Sequence, residues 1–154
     1  MRVLVFDPNR CTGCHICEET CAQTWFKVAD RSLSAIQIVE PEDDETYQAI
    51  ICTQCGECID VCPTLALSRA QNGVVRRDLS LCVGCLACVG FCRVGVPQGT
   101  VAMRTHPALV EPFKCVACGS CARACPEGAL EVKEVENAPP TATERLAQRA
   151  EEAR

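Results

Sequence analysis

The chain has 154 residues, of which 16 are cysteine, 48% are hydrophobic and only 4% are aromatic, so it carries little apolar material for an ordinary core. Its formal net charge of -5, without any basic cluster, argues against nucleic acid as a partner. No apolar run approaches the roughly 18 residues of a membrane span, and Met1–Asp7 lacks the regions of a signal peptide, so we expect no direct membrane insertion and a cytoplasmic location.

Short alternating runs between the cysteines predict strands along the chain. Val3–Phe6 near the start and Ala129–Val132 near the end have no neighbouring run to pair with, so we expect them to pair with each other. The other runs predict three hairpins: Ala35–Val39 with Tyr47–Ile51, Ala66–Arg69 with Val74–Arg76, and Val101–Arg104 with Ala108–Val110. In the second hairpin, Asn72 and Gly73 predict a two-residue turn, because this dipeptide accepts positive φ angles.

The C-terminal segment differs from the rest of the chain. Asn137–Pro140 is typical of a linker, and Thr141 with Glu144 has the spacing of a capping box that opens a helix predicted through Arg154. Leu146 is the one large apolar residue of that helix. A solvated helix is therefore the preferred interpretation, and a helix that docks on a partner is the alternative.

The sixteen cysteines fall into four groups with one spacing, C-x2-C-x2-C-x3-C, and none is left over. In a reducing compartment, so many thiols indicate metal ligation rather than disulfides. Three thiolates at two-residue intervals can bind three corners of one iron-sulfur cube, and the fourth can bind a second cube. We therefore predict four [4Fe-4S] clusters, held by Cys11, Cys14, Cys17, Cys21, Cys52, Cys55, Cys58, Cys62, Cys82, Cys85, Cys88, Cys92, Cys115, Cys118, Cys121 and Cys125.

Two other metal chemistries fit parts of this pattern less well. Cys11–His15 matches the C-x-x-C-H haem attachment motif, but the other groups lack the histidine, so we expect His15 to be a loop residue beside a cluster. Pairs of cysteines at this spacing also bind structural zinc, although a third cysteine two residues further on has no role in such a site. A structural zinc protein is therefore the chemical alternative.

Trp25, which follows the first group, is expected to keep water off a cluster.

The cysteine spacing resembles the bacterial ferredoxin repeat C-x2-C-x2-C-x3-C-P, over roughly residues 1 to 133. Pro63 and Pro126 keep the proline of that repeat, whereas Ala22 and Arg93 replace it, which we expect to change local geometry without loss of a ligand. The resemblance implies an α+β fold made of two fused ferredoxin units, each with short hairpins and short helices around two [4Fe-4S] clusters.

The residues alone leave a tandem and a nested pairing of the four groups open. Nineteen residues separate Cys62 from Cys82 and thirty separate Cys21 from Cys52, which favours a pairing of the second group with the third. The chain is also similar to the four-cluster electron-transfer subunits of molybdenum and tungsten oxidoreductases such as dimethyl sulfoxide reductase, of hydrogenase-linked complexes and of carbon monoxide dehydrogenase.

This second resemblance implies the nested arrangement. It gives an outer unit from residues 1–46 and 105–136, an inner unit from residues 47–104, and a linker with a helical tail at residues 137–154. The implied ligand sets are Cys11, Cys14, Cys17 and Cys125; Cys115, Cys118, Cys121 and Cys21; Cys52, Cys55, Cys58 and Cys92; and Cys82, Cys85, Cys88 and Cys62.

The sequence shows no catalytic dyad, phosphate-binding loop or nucleotide fingerprint, so we expect a non-catalytic subunit that relays single electrons. Phe6–Cys14 resembles the opening of the subunits that accompany tungsten-dependent aldehyde oxidoreductases. That likeness implies such an enzyme as the catalytic partner, with a flavin subunit or a ferredoxin as a second redox partner. Self-stacking of copies would extend the row of clusters. The alternative is a freely diffusing polyferredoxin that serves several enzymes.

Overall fold

The computed structural model describes residues 1–42, 46–94, 104–106, 109–111, 115–137, 140 and 142–152. Its strands are β1 (Arg2–Phe6), β2 (Ile36–Val39), β3 (Gln48–Ile51), β4 (Leu67–Arg69), β5 (Val75–Arg77), β6 (Arg104–His106), β7 (Leu109–Glu111) and β8 (Leu130–Glu134). Its α-helices are α1 (Ile16–Phe26), α2 (Glu57–Asp60), α3 (Ala87–Gly90), α4 (Ser120–Ala124) and α5 (Ala142–Glu152). Each described sheet has two strands, and the cysteine groups lie in the loops and helices between the strands.

The first and last strands of the described chain form one antiparallel pair. Leu4 lies opposite Val132 and Phe6 lies opposite Leu130. Leu4 and Leu130 are buried, as the alternation of a half-buried strand requires. The predicted pairing of the two terminal strands is therefore confirmed, and it brings the first cysteine group close to the fourth.

The three predicted hairpins are also present. β2 pairs with β3, β4 with β5 and β6 with β7, all antiparallel. In the first of them, Ile36, Ile38 and Ile51 are buried on one face. In the third, the described strand begins at Arg104, and the predicted residues 101–103 and 107–108 lie outside the described part of the chain.

The turn between β4 and β5 differs from the prediction. Gly73 N–H donates to the Ala70 carbonyl at 2.8 Å, and Ala70 N–H donates to the Val74 carbonyl at 2.9 Å, so the loop has three residues and not two. Only Gly73 of the Asn-Gly pair has a positive φ. The Asn72 side chain instead accepts the Val74 N–H at 3.2 Å, which favours the longer turn.

Helix α1 explains why alanine replaces proline after Cys21. The helix runs without a break from Ile16 to Phe26 and ends where Lys27 adopts a left-handed conformation. Ala22 lies in its middle and is fully buried. A proline there would remove a helical hydrogen bond and collide with the preceding turn. As predicted, the substitution goes with a local change of geometry.

Helix α5 lies against α2 of its own chain. Thr143 N–H donates to Asp60 Oδ2 at 3.1 Å, and the Arg145 guanidinium donates to Glu57 Oε1 at 2.5 Å. The predicted helix is present and most of its described residues are exposed, which agrees with the preferred interpretation as a solvated segment, while its first turn contacts α2. Acidic side chains of α2 hold its first turn, where the partial positive charge of a helix N-terminus favours them.

The described residues bury two apolar clusters, and cysteines belong to both. The larger contains Leu4, Ile36, Ile38, Cys17 and Cys121, and the smaller contains Leu67, Val75 and Cys88. No helix in the described part of the chain has the length and hydrophobicity needed to cross a membrane.

Candidate iron-sulfur sites

Each cysteine loop contains two residues with positive φ, one on either side of its second cysteine. The first position holds Gly13, Gln54, Gly84 and Ala117, and the second holds His15, Gly56, Leu86 and Gly119. Every loop thus has one glycine and one other residue, for which a left-handed backbone costs about 1–2 kcal/mol. Turns of this kind form concavities lined by backbone N–H groups, which suit a negatively charged cofactor.

The first cavity, called cup 1, has a volume of about 330 Å³, including space open to solvent, and its thiols are those of Cys11, Cys14, Cys17 and Cys125. Phe6, Ile38 and Leu130 form its apolar walls. Burial, together with the charges of Glu18 and Cys121, raises the pKa of Cys17 to about 12. The β1–β8 pair is what brings Cys125 to the first loop.

The second cavity, called cup 2, has a volume of about 340 Å³, and its thiols are those of Cys21, Cys115, Cys118 and Cys121. Trp25 lines the cavity, as its predicted role in excluding water requires. Burial alone would raise the pKa of Cys118, but hydrogen bonds from Ser120 and from the Trp25 side chain, with the charge of Arg123, lower it. Trp25 therefore also acts on a sulfur atom.

The third cavity, called cup 3, has a volume of about 340 Å³, and its thiols are those of Cys62, Cys82, Cys85 and Cys88. Thr64 Oγ1 lies 3.7 Å from Cys62 Sγ, and Arg77 Nη1 lies 4.0 Å from Cys82 Sγ. Cluster ligation stays a prediction for the thiols of these three cups and for the remaining set, which is Cys52, Cys55, Cys58 and Cys92.

The shape of the cups fits a polynuclear cofactor better than a single ion. In each of the three cups, four thiols line a single concavity that is open to solvent. A zinc ion holds its sulfur ligands at about 2.3 Å, which draws them close together. Among the residues that the structure describes, no three potential ligands converge in that way. The donor set, all cysteine, is the one that iron-sulfur cubes use.

The cups lie next to one another in a definite order. Cup 1 adjoins cup 2, since Cys17 of the first and Cys121 of the second belong to the same buried cluster. Cup 2 adjoins the second cysteine loop, since burial raises the pKa of Cys115 to about 12 and the charge of Cys52 contributes to that rise. Helices α2 and α3 then connect the second loop with cup 3.

Gln54 joins the second and fourth cysteine loops, and sequence reasoning missed it. Its side chain is 1% exposed, donates from Nε2 to the Cys115 carbonyl at 2.6 Å and accepts the Val75 N–H at 2.9 Å. The Arg69 guanidinium donates to the Gln54 carbonyl at 3.0 Å and to the Cys55 carbonyl at 3.1 Å. The first and third loops have glycine at the position of Gln54. This difference is the feature of the sequence that could have drawn attention to Gln54.

A buried carboxylate beside cup 1 was also missed. Glu18 is 3% exposed and accepts hydrogen bonds from Ile38 N–H at 2.7 Å and from Arg31 Nε at 2.7 Å. His15 Nδ1 lies 2.8 Å from the same carboxylate. His15 lines cup 1, so its predicted place beside a cysteine loop is correct. The sequence feature that could have identified Glu18 is its charge, because the residue directly after the third cysteine is apolar in the other three groups.

Glu57 accounts for the other replaced proline. Its carboxylate is held between Arg93 Nε, at 2.7 Å, and the Arg145 guanidinium. Arg93 stands where the ferredoxin repeat has proline after its last cysteine. This arginine links the end of the third loop to α2, and through Glu57 to α5.

Only two of the sixteen thiols are classed as exposed. They are Cys14 in cup 1 and Cys85 in cup 3. Both are the second cysteine of their loops, and they belong to the two cups at the ends of the described order. The thiols of cup 2 are buried or partly buried.

Family comparisons agree with the chemistry of these sites. A model described as a 4Fe-4S dicluster domain matches residues 44–93 and 74–126, and a second model with the same description matches residues 10–66. The matches overlap, so they do not distinguish the nested pairing from the tandem one.

Several curated proteins are similar to the chain. It is 36% identical over 136 residues to the NADH-dependent phenylglyoxylate dehydrogenase subunit beta of Aromatoleum evansii, with coverage of 83% of the chain and 29% of that protein. It is 35% identical over 144 residues to the ferredoxin-like protein YdhX of Escherichia coli K12, with coverage of 82% and 62%. It is 30% identical over 141 residues to the thiosulfate reductase electron transfer subunit PhsB of Salmonella typhi, with coverage of 84% and 73%. The chain thus spans less than two thirds of the first two proteins.

Solved structures share the fold. The chain aligns over its full length with 91% of a chain in the active-site complex BamBC of benzoyl coenzyme A reductase in complex with zinc, at a TM-score of 0.51 and 19% identity. At that identity the likeness concerns the fold alone.

Proposed function

The chain belongs to the family of 4Fe-4S dicluster proteins, and on that premise we propose that it is the electron-transfer subunit of an oxidoreductase, with four [4Fe-4S] clusters. When bound, the clusters would supply one-electron transfer at low potential. The observation that carries the proposal is the order of the cups, which follow one another in a row. The cup at each end of this row contains an exposed cysteine, Cys14 or Cys85, where an electron can enter or leave.

The proposal assigns the ligands in the nested arrangement. Cup 1, cup 2 and cup 3 each hold one cluster, and Cys52, Cys55, Cys58 and Cys92 hold the fourth. Residues 1–46 and 105–136 then form the outer unit, residues 47–104 form the inner unit, and residues 137–154 form the linker and tail. The β1–β8 pair supports this assignment because it brings Cys125 beside Cys11 rather than beside the third group.

The catalytic partner in this proposal is a tungsten-dependent aldehyde oxidoreductase, supported by the resemblance of Phe6–Cys14. A flavin subunit or a ferredoxin is the second partner. The relatives named as subunits of a dehydrogenase and of a thiosulfate reductase support a multi-subunit setting. A reducing, cytoplasmic compartment is part of the proposal, because sixteen thiols awaiting iron would be oxidised elsewhere.

The first experiment is an anaerobic purification of the tagged chain with its companions. We expect about sixteen irons and sixteen sulfides per chain, EPR signals of interacting clusters after dithionite reduction, and tungsten in a companion subunit. Stoichiometric zinc without a reducible signal would refute electron transfer. Molybdenum or nickel in place of tungsten would refute only the identity of the partner.

Paired alanine variants test the nested arrangement. Cys14→Ala and Cys125→Ala remove ligands of one cluster in the nested arrangement, so the double variant should lose about a quarter of the iron, no more than either single variant. The tandem arrangement puts the two residues in different clusters, and the double variant would then lose about half. Cys14→Ala with Cys85→Ala is the control, since both arrangements predict a loss of about half.

A further inference from the structure

Cups 1 and 3 are built on one backbone plan. Asp7 N–H donates to the Ala129 carbonyl at 2.8 Å, and Asp78 N–H donates to the Ala66 carbonyl at 2.7 Å. Each aspartate is followed by the same turn, in which its side chain accepts an N–H two residues on, from Asn9 at 3.0 Å and from Ser80 at 2.8 Å. Gly128 and Leu65 donate to the carbonyls of Cys125 and Cys62, both at 3.3 Å. Residues around the two cups can therefore be compared position by position.

The two rims differ in chemistry at the matched positions. In the segments that carry Cys62 and Cys82 of cup 3, these positions hold Leu65, Leu79, Leu81 and Val83, which we call the apolar rim. Around cup 1 the same positions form a mixed and mostly polar rim, made of Gly128, Pro8, Arg10 and Thr12. The side chains of the apolar rim are 74%, 62%, 48% and 60% exposed, in the order given. Four exposed apolar side chains thus lie in the segments that carry Cys62 and Cys82, and one of them, Val83, lines cup 3 together with Cys85.

The backbone at Leu65 costs stability that glycine would avoid. Its φ is 55°, and Gly128, at the matched position, has a φ of 60°. A branched apolar residue is unfavourable in this conformation, and Leu65 gains little from packing, since it is the most exposed of the large apolar residues described. Strain of this kind points to a function for the side chain.

The two ends of the row of cups also differ in their balance of acidic and basic residues. The described residues 1–42 include six acidic and four basic ones, whereas residues 47–94 include three acidic and four basic ones. A charged surface suits transient encounters with diffusing partners, and an almost neutral apolar surface suits a permanent interface between subunits. The hydrogen bond within the Asp78–Ser80 turn fixes the backbone at Leu79. Less conformational entropy is therefore lost when Leu79 contacts a partner.

We propose that the apolar rim around cup 3 is the surface through which the chain binds its catalytic subunit permanently. The inference rests on the proposed function, because it assigns the catalytic partner to one end of the row. The occupant is a protein subunit with a complementary apolar face, which excludes water around Cys85 on binding. The acidic end at cup 1 stays available to the second redox partner.

The test compares two variants in the anaerobically purified complex. The rim variant carries Leu65→Gly, Leu79→Ser and Leu81→Arg, and it leaves Val83 unchanged because that residue lines cup 3. The control variant carries Val28→Thr and Leu146→Ser, which change exposed apolar residues outside the rim. We expect the rim variant to keep its iron and its dithionite-reduced EPR signals, while its Kd for the metal-bearing subunit, measured by sedimentation, rises about tenfold or more. The control variant should bind as the wild type does.

Two outcomes would overturn the inference. One is a rim variant that binds the metal-bearing subunit as tightly as the wild type. The other is a wild-type dimer that the rim variant loses while it still binds that subunit, which would make a second copy the occupant. If the rim variant loses iron, the same binding measurement is made with Leu79→Ser alone. Its Kd for the metal-bearing subunit is expected to rise about threefold. A wild-type chain without reducible clusters would instead refute the proposed function.

Discussion

At the scale of single residues, Glu18 joins His15, Arg31 and strand β2 next to cup 1. We expect Glu18→Gln to destabilise the protein by about 1–3 kcal/mol, because the new amide would face the Arg31 guanidinium, donor against donor. For a chain of this size the temperature of cluster loss should fall by about 2–4 °C per kcal/mol. The visible absorbance of the clusters, followed on heating under argon, measures this change.

The neighbouring carboxylate provides the control. Glu19 lies on the same helix but is exposed, so Glu19→Gln should leave the transition within about 1 °C of the wild type. Equal effects of the two substitutions would show that Glu18 contributes only a surface charge.

Trp25 acts on a single sulfur atom in cup 2. A hydrogen bond to a cysteine ligand stabilises the more negative, reduced state of a cluster, so removing the donor should lower its potential. We expect Trp25→Phe to shift one cluster by about 30–60 mV to more negative potential, equivalent to roughly 1 kcal/mol. A redox titration followed by EPR measures the shift. Ser120→Ala, which removes another bond to Cys118, should shift the same cluster in the same direction, and opposite signs would contradict this account.

At the scale of structural elements, the first cysteine loop leaves no space at Gly13. A Cβ atom there would lie 2.3–2.5 Å from three atoms of the Tyr47 side chain, and the φ of 69° disfavours any other residue. We therefore expect Gly13→Ala to open the loop and to remove about a quarter of the iron. Gly90→Ala is the matched control, since no atom lies within 4 Å of its Cβ position. Iron analysis that finds both variants fully loaded would count against this role of Gly13.

Helix α1 gives an element-scale prediction that runs against the ferredoxin repeat. Ala22→Pro restores the residue of the repeat, yet it should destabilise the chain by about 3 kcal/mol or more, because it interrupts the middle of a helix. Ala22→Ser keeps the backbone N–H and should cost less. The yield of iron-loaded protein and its thermal transition, compared between the two variants, check this ranking.

The same elements show how far the sequence leads. The hairpins could be predicted because alternation and turn residues are local signals, and the cysteine groups because their spacing repeats. The contacts of Gln54 and Glu18 could not be predicted in this way, since their partners lie 61 and 20 residues away. The turn at Asn72 was misjudged for a local reason, because its side chain accepts the Val74 N–H and so stabilises a longer loop.

At the scale of the whole molecule, the ligand cysteines are also core residues. Cys17 and Cys121 lie within the larger buried cluster, and aromatic residues are only 4% of the chain. We expect removal of iron by a chelator under reducing conditions to abolish the thermal transition, as in other domains that fold on their metal. Circular dichroism should recover when iron and sulfide are added back. An iron-free chain with an unchanged transition would show that packing alone maintains the fold.

The pairing of the first strand with the last has a consequence for synthesis on the ribosome. The inner cysteines, from Cys52 to Cys92, emerge as one contiguous stretch, whereas Cys11, Cys14 and Cys17 must wait for Cys125 and for the strand that ends at Glu134. Because chains emerge at about 5–20 residues per second, the first loop spends several seconds as an open thiol site beside an unpaired strand. On the proposed nested assignment, the inner clusters can therefore assemble first, and the ligand set of the outer clusters is complete only after Cys125 has emerged.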